Sequence, residues 1–114
     1  HFRWFDSGDL QNFQMLENIF LVCWKTMHIQ HWLPTQERTM VLGLQPPPNL
    51  TIRVSSAVID KPRPLAEFPI SWVTSNWKEH KNKPNACSKH VHGHCMDCRM
   101  CWDKDIPEII YKLI

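Results

Sequence analysis

With 114 residues the chain has room for one domain and not for two of ordinary size. Its 43% hydrophobic content, with six Trp and five Phe, is that of a globular chain able to bury a core. A net charge of +2, with Lys and Arg scattered outside residues 78–83, is too small to argue for nucleic acid alone. No run of eighteen apolar residues and no signal peptide is present, so a soluble, intracellular chain without a membrane partner is expected.

The sequence begins at His1, directly in a strand-like run, which points to a fragment or a domain cut from a longer chain. "FRWF" (residues 2–5) reads as a short aromatic strand ended by the turn-forming "DSGD". Leu10, Phe13, Leu16, Phe20, Cys23 and Met27 then recur at three- and four-residue steps, which predicts an amphipathic helix capped by Ser7 or Asp9. "HIQHWL" predicts a second, buried strand stopped by Pro34. Thr35 is placed to cap a short helix over residues 36–42 that ends near Gly43.

"QPPP" (residues 45–48) forbids a helix through it. "LTIRVSS" alternates Leu50, Ile52 and Val54 with Thr51 and Arg53, the pattern of a half-buried strand. "DKPRPLAEFP" is irregular, with three prolines in ten residues, and "ISWVTS" offers another strand. Residues 76–86 are polar and turn-rich, and "EIIYKLI" predicts a closing strand after Pro107.

The order is therefore β-α-β-α-β-β, a cysteine loop, and β. Parallel neighbours need a crossover of a dozen residues or more, so strands joined through helices argue for an α/β fold. A complete eight-stranded barrel takes about 250 residues. The expected fold is a partial barrel or a small open, mostly parallel sheet with a C-terminal cysteine-rich metal loop. Within one domain, residues 1–75 form the α/β half, and residues 76–114 form the metal-binding loop and closing strand. No internal repeat is visible.

"HGHCMDCRMCW" (residues 92–102) carries the densest chemistry. Together with Cys87 it gives Cys87, Cys95, Cys98 and Cys101 the spacing C-x7-C-x2-C-x2-C. Two-residue gaps let neighbouring thiolates converge on one centre, and successive x2 gaps open the bacterial ferredoxin run that holds a [4Fe–4S] cluster. Zinc more often takes two separated C-x2-C pairs or Cys with His, and His90, His92 and His94 keep Zn2+ in contention as alternate ligands. Disulfides would need an oxidising compartment, and adjacent x2 cysteines would close strained loops. Cys23, on the apolar helix face, reads as a core thiol, and Trp102, next to the last cysteine, as a lid over the metal.

Ligands of parallel α/β folds sit at the carboxyl ends of the strands. Those ends read "DSGD", "PTQER", "VSS" and "VTSN", which would set Asp6, Asp9, Gln36, Glu37, Ser55 and Ser56 along one rim. The carboxylates there are candidate bases or polar anchors. The competing reading is helix capping and turn chemistry, which Asp, Ser and Thr perform in every fold. His28, His31 and His80 read as surface or core histidines. No Ser-His-Asp or Cys-His set is assignable from spacing.

"HFRWFDSGDLQN", "HWLPTQER" and the ending "GHCMDCRMCWDKDIPEIIYK", with "LTIRVSSAVIDKP" and "SWVTSN" between them, resemble the phage gene product 88 family over almost the whole chain. The resemblance implies a phage or prophage protein acting in the cytoplasm of a bacterial host, in a family with no assigned activity. Full-length members are similar to radical S-adenosylmethionine proteins and carry an upstream three-cysteine motif. That motif is absent here, and Cys23, mid-helix, cannot replace it. The resemblance thus implies a C-terminal half whose partner is the missing N-terminal half, with Cys87, Cys95, Cys98 and Cys101 as an auxiliary metal site.

Three functions compete. In the first, the cysteine loop is a metal clamp that staples an incomplete α/β unit, as metal binding contributes directly to folding. In the second, the rim binds substrate and the cluster serves a radical enzyme. In the third, a zinc element binds single-stranded nucleic acid through Lys78, Lys81, Lys83, Lys89 and Arg99 with Trp77 and Trp102. Asp97, Asp103 and Asp105 dilute that last field.

Overall fold

The computed structural model describes residues 1–5, 8–65, 67–87 and 98–113. Five strands run parallel and in chain order: β1 (Phe2–Arg3), β2 (His31–Thr35), β3 (Leu50–Ser55), β4 (Ile70–Thr74) and β5 (Glu108–Lys112). The sheet curls as half of a parallel barrel with helices, the α/β architecture expected. Helix α1 (Phe13–Lys25) makes the first crossover, and the single-turn helices α2 (Arg38–Val41) and α3 (Trp77–His80) follow β2 and β4. A 3-10 turn (Met100–Trp102) precedes β5.

The apolar stripe of α1 differs from the one expected. The helix buries Leu16, Ile19 and Cys23, while Phe13 is 58% and Met27 44% exposed. Its cap is Asn12, whose Oδ1 accepts the Met15 amide at 2.9 Å. Asp9 cannot serve, because its carboxylate is turned to the end of β2. Ser7 lies outside the described residues. At the other end of α1, buried Asn49 donates through Nδ2 to the carbonyls of Cys23, Thr26 and Ile29 at 2.9–3.1 Å. Asn49 thereby ties the last turn of α1 to the segment that leads into β2.

Pro34 does not stop β2, which continues to Thr35. His31 gives its amide to Asn49 on the β3 side, whereas the Trp32 carbonyl accepts the Trp4 amide on the β1 side. By alternation Pro34 turns its nitrogen towards β1, whose ladder ends at Arg3, so no amide is missed there. Thr35 is likewise a strand residue rather than a helix cap, and Glu37 caps α2 without a side-chain bond.

The two faces of the sheet differ. Leu33, Leu50, Ile52 and Val54 pack with Leu10, Leu16, Ile19, Cys23, Val41 and Phe68 into the apolar core under the helices. The alternate positions form the concave face: Trp32 on β2, Thr51, Arg53 and Ser55 on β3, Ser71 on β4, Ile109 and Tyr111 on β5. Alternation implies a wet polar face, yet Thr51 and Arg53 are as buried as their apolar neighbours.

Register joins β2 to β3 over five pairs and β4 to β5 over five, but β3 meets β4 only through Val54–Ile70 and Ser55–Ser71. The end of β3 therefore lies beside the start of β4. Stagger of this kind is what strand tilt and barrel curvature require.

Candidate functional site: the concave face and its thiols

The 3-10 turn is tied down onto the concave face. Thr51 Oγ1 donates to the Trp102 carbonyl at 2.8 Å, and Trp102 Nε1 donates to the Phe2 carbonyl at 2.9 Å. Arg53, with no exposed surface, forks into the same turn. Its two terminal nitrogens donate to the carbonyls of Ile70, Ile106, Met100 and Asp103 at 2.9–3.2 Å. Its Nε is buried without a partner among the described residues. Burial pulls this guanidinium below the ordinary arginine range, and Tyr111, Cys101 and Asp103 are the ionisable groups that act against that pull.

Cys101 hangs from this turn towards β5. Its Sγ lies 3.2 Å from the hydroxyl of Tyr111 on the concave face. Burial pushes the Cys101 thiol up to about 11, opposed by the Tyr111 bond and by Arg53, and Cys87 and Cys98 lie close enough to raise it further. Burial also holds the Tyr111 hydroxyl well above its usual value, with Cys101 and Cys87 adding to the effect. Cys87 arrives from the far edge of β5. The Ala86–Ile110 bridge and the bond from the Cys87 amide to the Ile110 carbonyl, 2.8 Å, set it beside Tyr111. Cys98 and Cys101 are free thiols.

Of the four predicted ligands, Cys87 and Cys101 are thus both placed beside β5. Cys95, His90, His92 and His94 lie outside the described residues. Among the described residues no three His, Cys, Asp or Glu side chains are grouped so as to hold a metal ion. Cys23 is a fully buried core thiol, pushed up to about 11 by that burial. The Trp102 ring and the Cys101 thiol of the same turn point different ways. The indole meets Trp32 edge-on at 5.3 Å, towards β1 and β2, while Cys101 faces β5.

The expected rim divides. Asp9, Gln36 and Ser55, with Arg3 and Thr35, line one cavity of about 320 Å³ at the ends of β1 to β3. Glu37 is not among its walls, and Asp6 lies outside the described residues. The Asp9 carboxylate is occupied: it accepts from the Leu10 amide, the Thr35 hydroxyl and the Gln36 amide. It therefore acts as a strand-end clamp, not as a free base. Ser55 Oγ is paired with Ser71 Oγ at 2.9 Å, and Ser56 folds its hydroxyl onto the Val58 and Lys61 carbonyls in a turn.

A second clamp of the same design closes β4. The Asp60 carboxylate accepts from Thr74 Oγ1, the Ser75 amide and Ser75 Oγ. In both clamps the threonine hydroxyl accepts the amide two residues on, Glu37 to Thr35 and Asn76 to Thr74 at 3.0 Å, before a single-turn helix. A structural repeat is therefore present where none was visible. The Ser75 bonds hold the Asp60 carboxyl below its ordinary value, and Asp60 sits at a φ of +62°, in the left-handed region.

The family model described as gene product 88 matches residues 1–104. The chain belongs to the gene product 88 family. No curated protein and no solved structure matches it. No helix among the described residues is long and apolar enough to cross a membrane.

For this gene product 88 chain, spacing pointed to the thiols but not to what surrounds them. Arg53 carried a weak signal, a lone charge inside a strand that otherwise alternates cleanly. Tyr111 carried none beyond being the chain's single tyrosine.

Proposed function

We propose that this chain is the metal-binding C-terminal portion of a phage protein. Cys87, Cys98 and Cys101, with Cys95, hold a [4Fe–4S] cluster or a zinc ion, and His90, His92 or His94 stand as alternate ligands. The observation that carries the reading is that Cys101 Sγ lies 3.2 Å from the Tyr111 hydroxyl while the Cys87 amide is bonded to Ile110, the neighbouring residue of the same strand. Thiolates are the donors that zinc and iron–sulfur centres prefer. The partnerless Arg53 Nε supports an anionic occupant next to it. Bound there, a zinc ion supplies a structural cross-link and an iron–sulfur cluster an electron carrier. The chain's own contribution is to fix two strands and a turn around the thiols.

A second reading, in which the chain is the substrate-binding part of a radical-type enzyme whose N-terminal partner carries the other cysteines, is favoured by the cavity. Its walls mix a cation, an amide and hydroxyls at the carboxyl ends of parallel strands, where such folds bind ligands. The single-stranded nucleic-acid reading finds less support. Trp102 already donates its N–H to the Phe2 carbonyl and packs edge-on with Trp32, so it is committed to the sheet.

The test is elemental analysis with an absorbance spectrum on anaerobically purified wild type and Cys98→Ser. About four irons and four sulfides per chain with a brown chromophore mean a cluster, and one zinc without colour means a structural site. Either metal should be lost in Cys98→Ser together with folding stability. Absence of metal from the wild type, or full metal content in the variant, overturns the assignment.

A further inference from the structure

We propose that His31 is a proton-sensitive latch on β1. As the neutral imidazole it fastens this edge strand to the end of α1, and protonation releases the strand together with one wall of the cavity at the strand ends.

A chain of three hydrogen bonds fixes the state of the ring. Trp4 Nε1 donates to His31 Nδ1 at 3.2 Å, and Thr26 Oγ1 lies 2.9 Å from His31 Nε2. The Thr26 hydroxyl in turn donates to the Val22 carbonyl at 2.7 Å. An indole N–H only donates and a carbonyl only accepts, so Nδ1 is the bare nitrogen and Nε2 carries the proton. One tautomer of the neutral imidazole satisfies every member of the chain. The imidazolium does not, because its second N–H faces the Trp4 N–H. With His31 only 3% exposed, that clash is relieved by moving Trp4 and not by hydration in place.

The groups packed on the ring bring no anion to it. From β1 come the Phe2 and Trp4 rings and the amino group of His1, and from β3 comes Leu50, in register with His31. The end of α1 supplies Thr26 and, beside Trp4, the Cys23 thiol. Burial, and after it the His1 amino group, hold the imidazole below its ordinary value of 6.5. Its stabilisation is therefore fully present above 6.5 and is lost as pH falls from there towards the lower, folded value. The element that this loss frees is β1, two residues long at the edge of the sheet. Its Phe2 and Trp4 amides donate to the Gln30 and Trp32 carbonyls at 2.8 and 2.9 Å. Arg3 of the same strand lines the cavity with Gln36 and Ser55, and the Phe2 carbonyl holds the Trp102 N–H. Freeing β1 thus opens the cavity on one side and unties the 3-10 turn at one point.

The experiment is NMR on the isotope-labelled full chain across the histidine range, reading the His31 ring nitrogens and hydrogen exchange at the Phe2 and Trp4 amides. Above 6.5 the ring should show a protonated Nε2 and a bare Nδ1. Below it, with intrinsic exchange rates divided out, protection of the two β1 amides should fall by up to about 10-fold per pH unit, the limit for uptake of one proton. The amides of α1 and of the β2–β3 ladder should keep their protection. His31→Asn, whose side-chain oxygen can accept from Trp4 but takes no proton, should hold β1 protection constant over the same range. Trp4→Phe keeps a ring, removes the opposing donor, and should raise the pH at which His31 titrates; it decides the matter if His31→Asn does not fold. A proton on Nδ1 above 6.5, or β1 protection that ignores the protonation of His31, would overturn the latch. So would loss of α1 protection in step with β1, a pH dependence that survives in His31→Asn, or an unmoved His31 titration in Trp4→Phe.

Discussion

Replacing Arg53 by Met tests the central joint of the fold. The side chain joins β3 to the start of β4, to the segment before β5 and to the 3-10 turn, across the place where the ladder has two register pairs. Met fills a similar volume but donates nothing. The Met100 and Asp103 carbonyls keep a backbone donor each, from Asp103 and Ile106, and Ile70 belongs to the β4–β5 ladder. The Ile106 carbonyl is the acceptor left bare, at about 1–3 kcal/mol, and the three other bonds add about 0.5–1.5 kcal/mol each. Removing a buried guanidinium relieves desolvation and offsets part of that sum. The net expectation is a loss of about 3 kcal/mol, a large share of the roughly 5–15 kcal/mol that holds a domain folded. In urea, with a slope of about 1–3 kcal/mol per molar, the unfolding midpoint should fall by about 1–3 M with the slope unchanged. Arg53→Lys should fall between the two. A midpoint within about 0.3 M of wild type would refute the reasoning and leave the short ladder to hold the seam alone.

Two further expectations concern residues that tie distant elements together. Asn49→Ala removes the donor shared by the Cys23, Thr26 and Ile29 carbonyls, between the last turn of α1 and β2, and should cost about 2 kcal/mol, read as a melting temperature lower by about 5–10 °C. An unchanged melting temperature would mean that water satisfies those carbonyls equally well. Asp60→Asn tests the second clamp through pH. The Asp60 carboxyl titrates below its ordinary value of 3.8, so its stabilisation is fully present above that value and is lost as pH falls through the lower, folded one. Wild type should melt above Asp60→Asn at neutral pH, and the gap should close in strong acid. A gap that persists in acid would show that the carboxylate's charge is not what the clamp uses.

Signals confined to a few neighbouring residues were the legible ones. Alternation over Leu50 to Val54 gave β3, and the apolar runs before Thr74 and after Pro107 gave β4 and β5. What escaped depended on partners far along the chain. Asp9 looked like a helix cap because Asp caps helices, but its acceptors are claimed by Thr35 and Gln36, twenty-six residues and more away. Pro34 looked like a terminator because the β1 side of β2 could not be known to need no amide. Phe13 and Met27 fitted the stripe of α1 by spacing alone, and only the orientation set by Asn12 and the sheet decided which arc was buried.

In the site, sulfur spacing sufficed to nominate the cysteines. Nothing local told Arg53 apart from a solvent-facing strand residue. Its burial follows from the turn at residues 100–102 folding back across the face, a contact spanning about fifty positions.

The two-pair seam between β3 and β4 has a mechanical consequence. It divides the sheet into two leaves, β1–β2–β3 and β4–β5, that share a narrow spine. Cys101 belongs to the first leaf, since its turn is bonded to Phe2, Thr51 and Arg53. Cys87 belongs to the second, bonded along the edge of β5. A bridge between those two sulfurs would tie the leaves together like a clasp, beside the tie that Arg53 already makes. Hydrogen exchange on the amides flanking Ser55 and Ser71 would register such a tie directly.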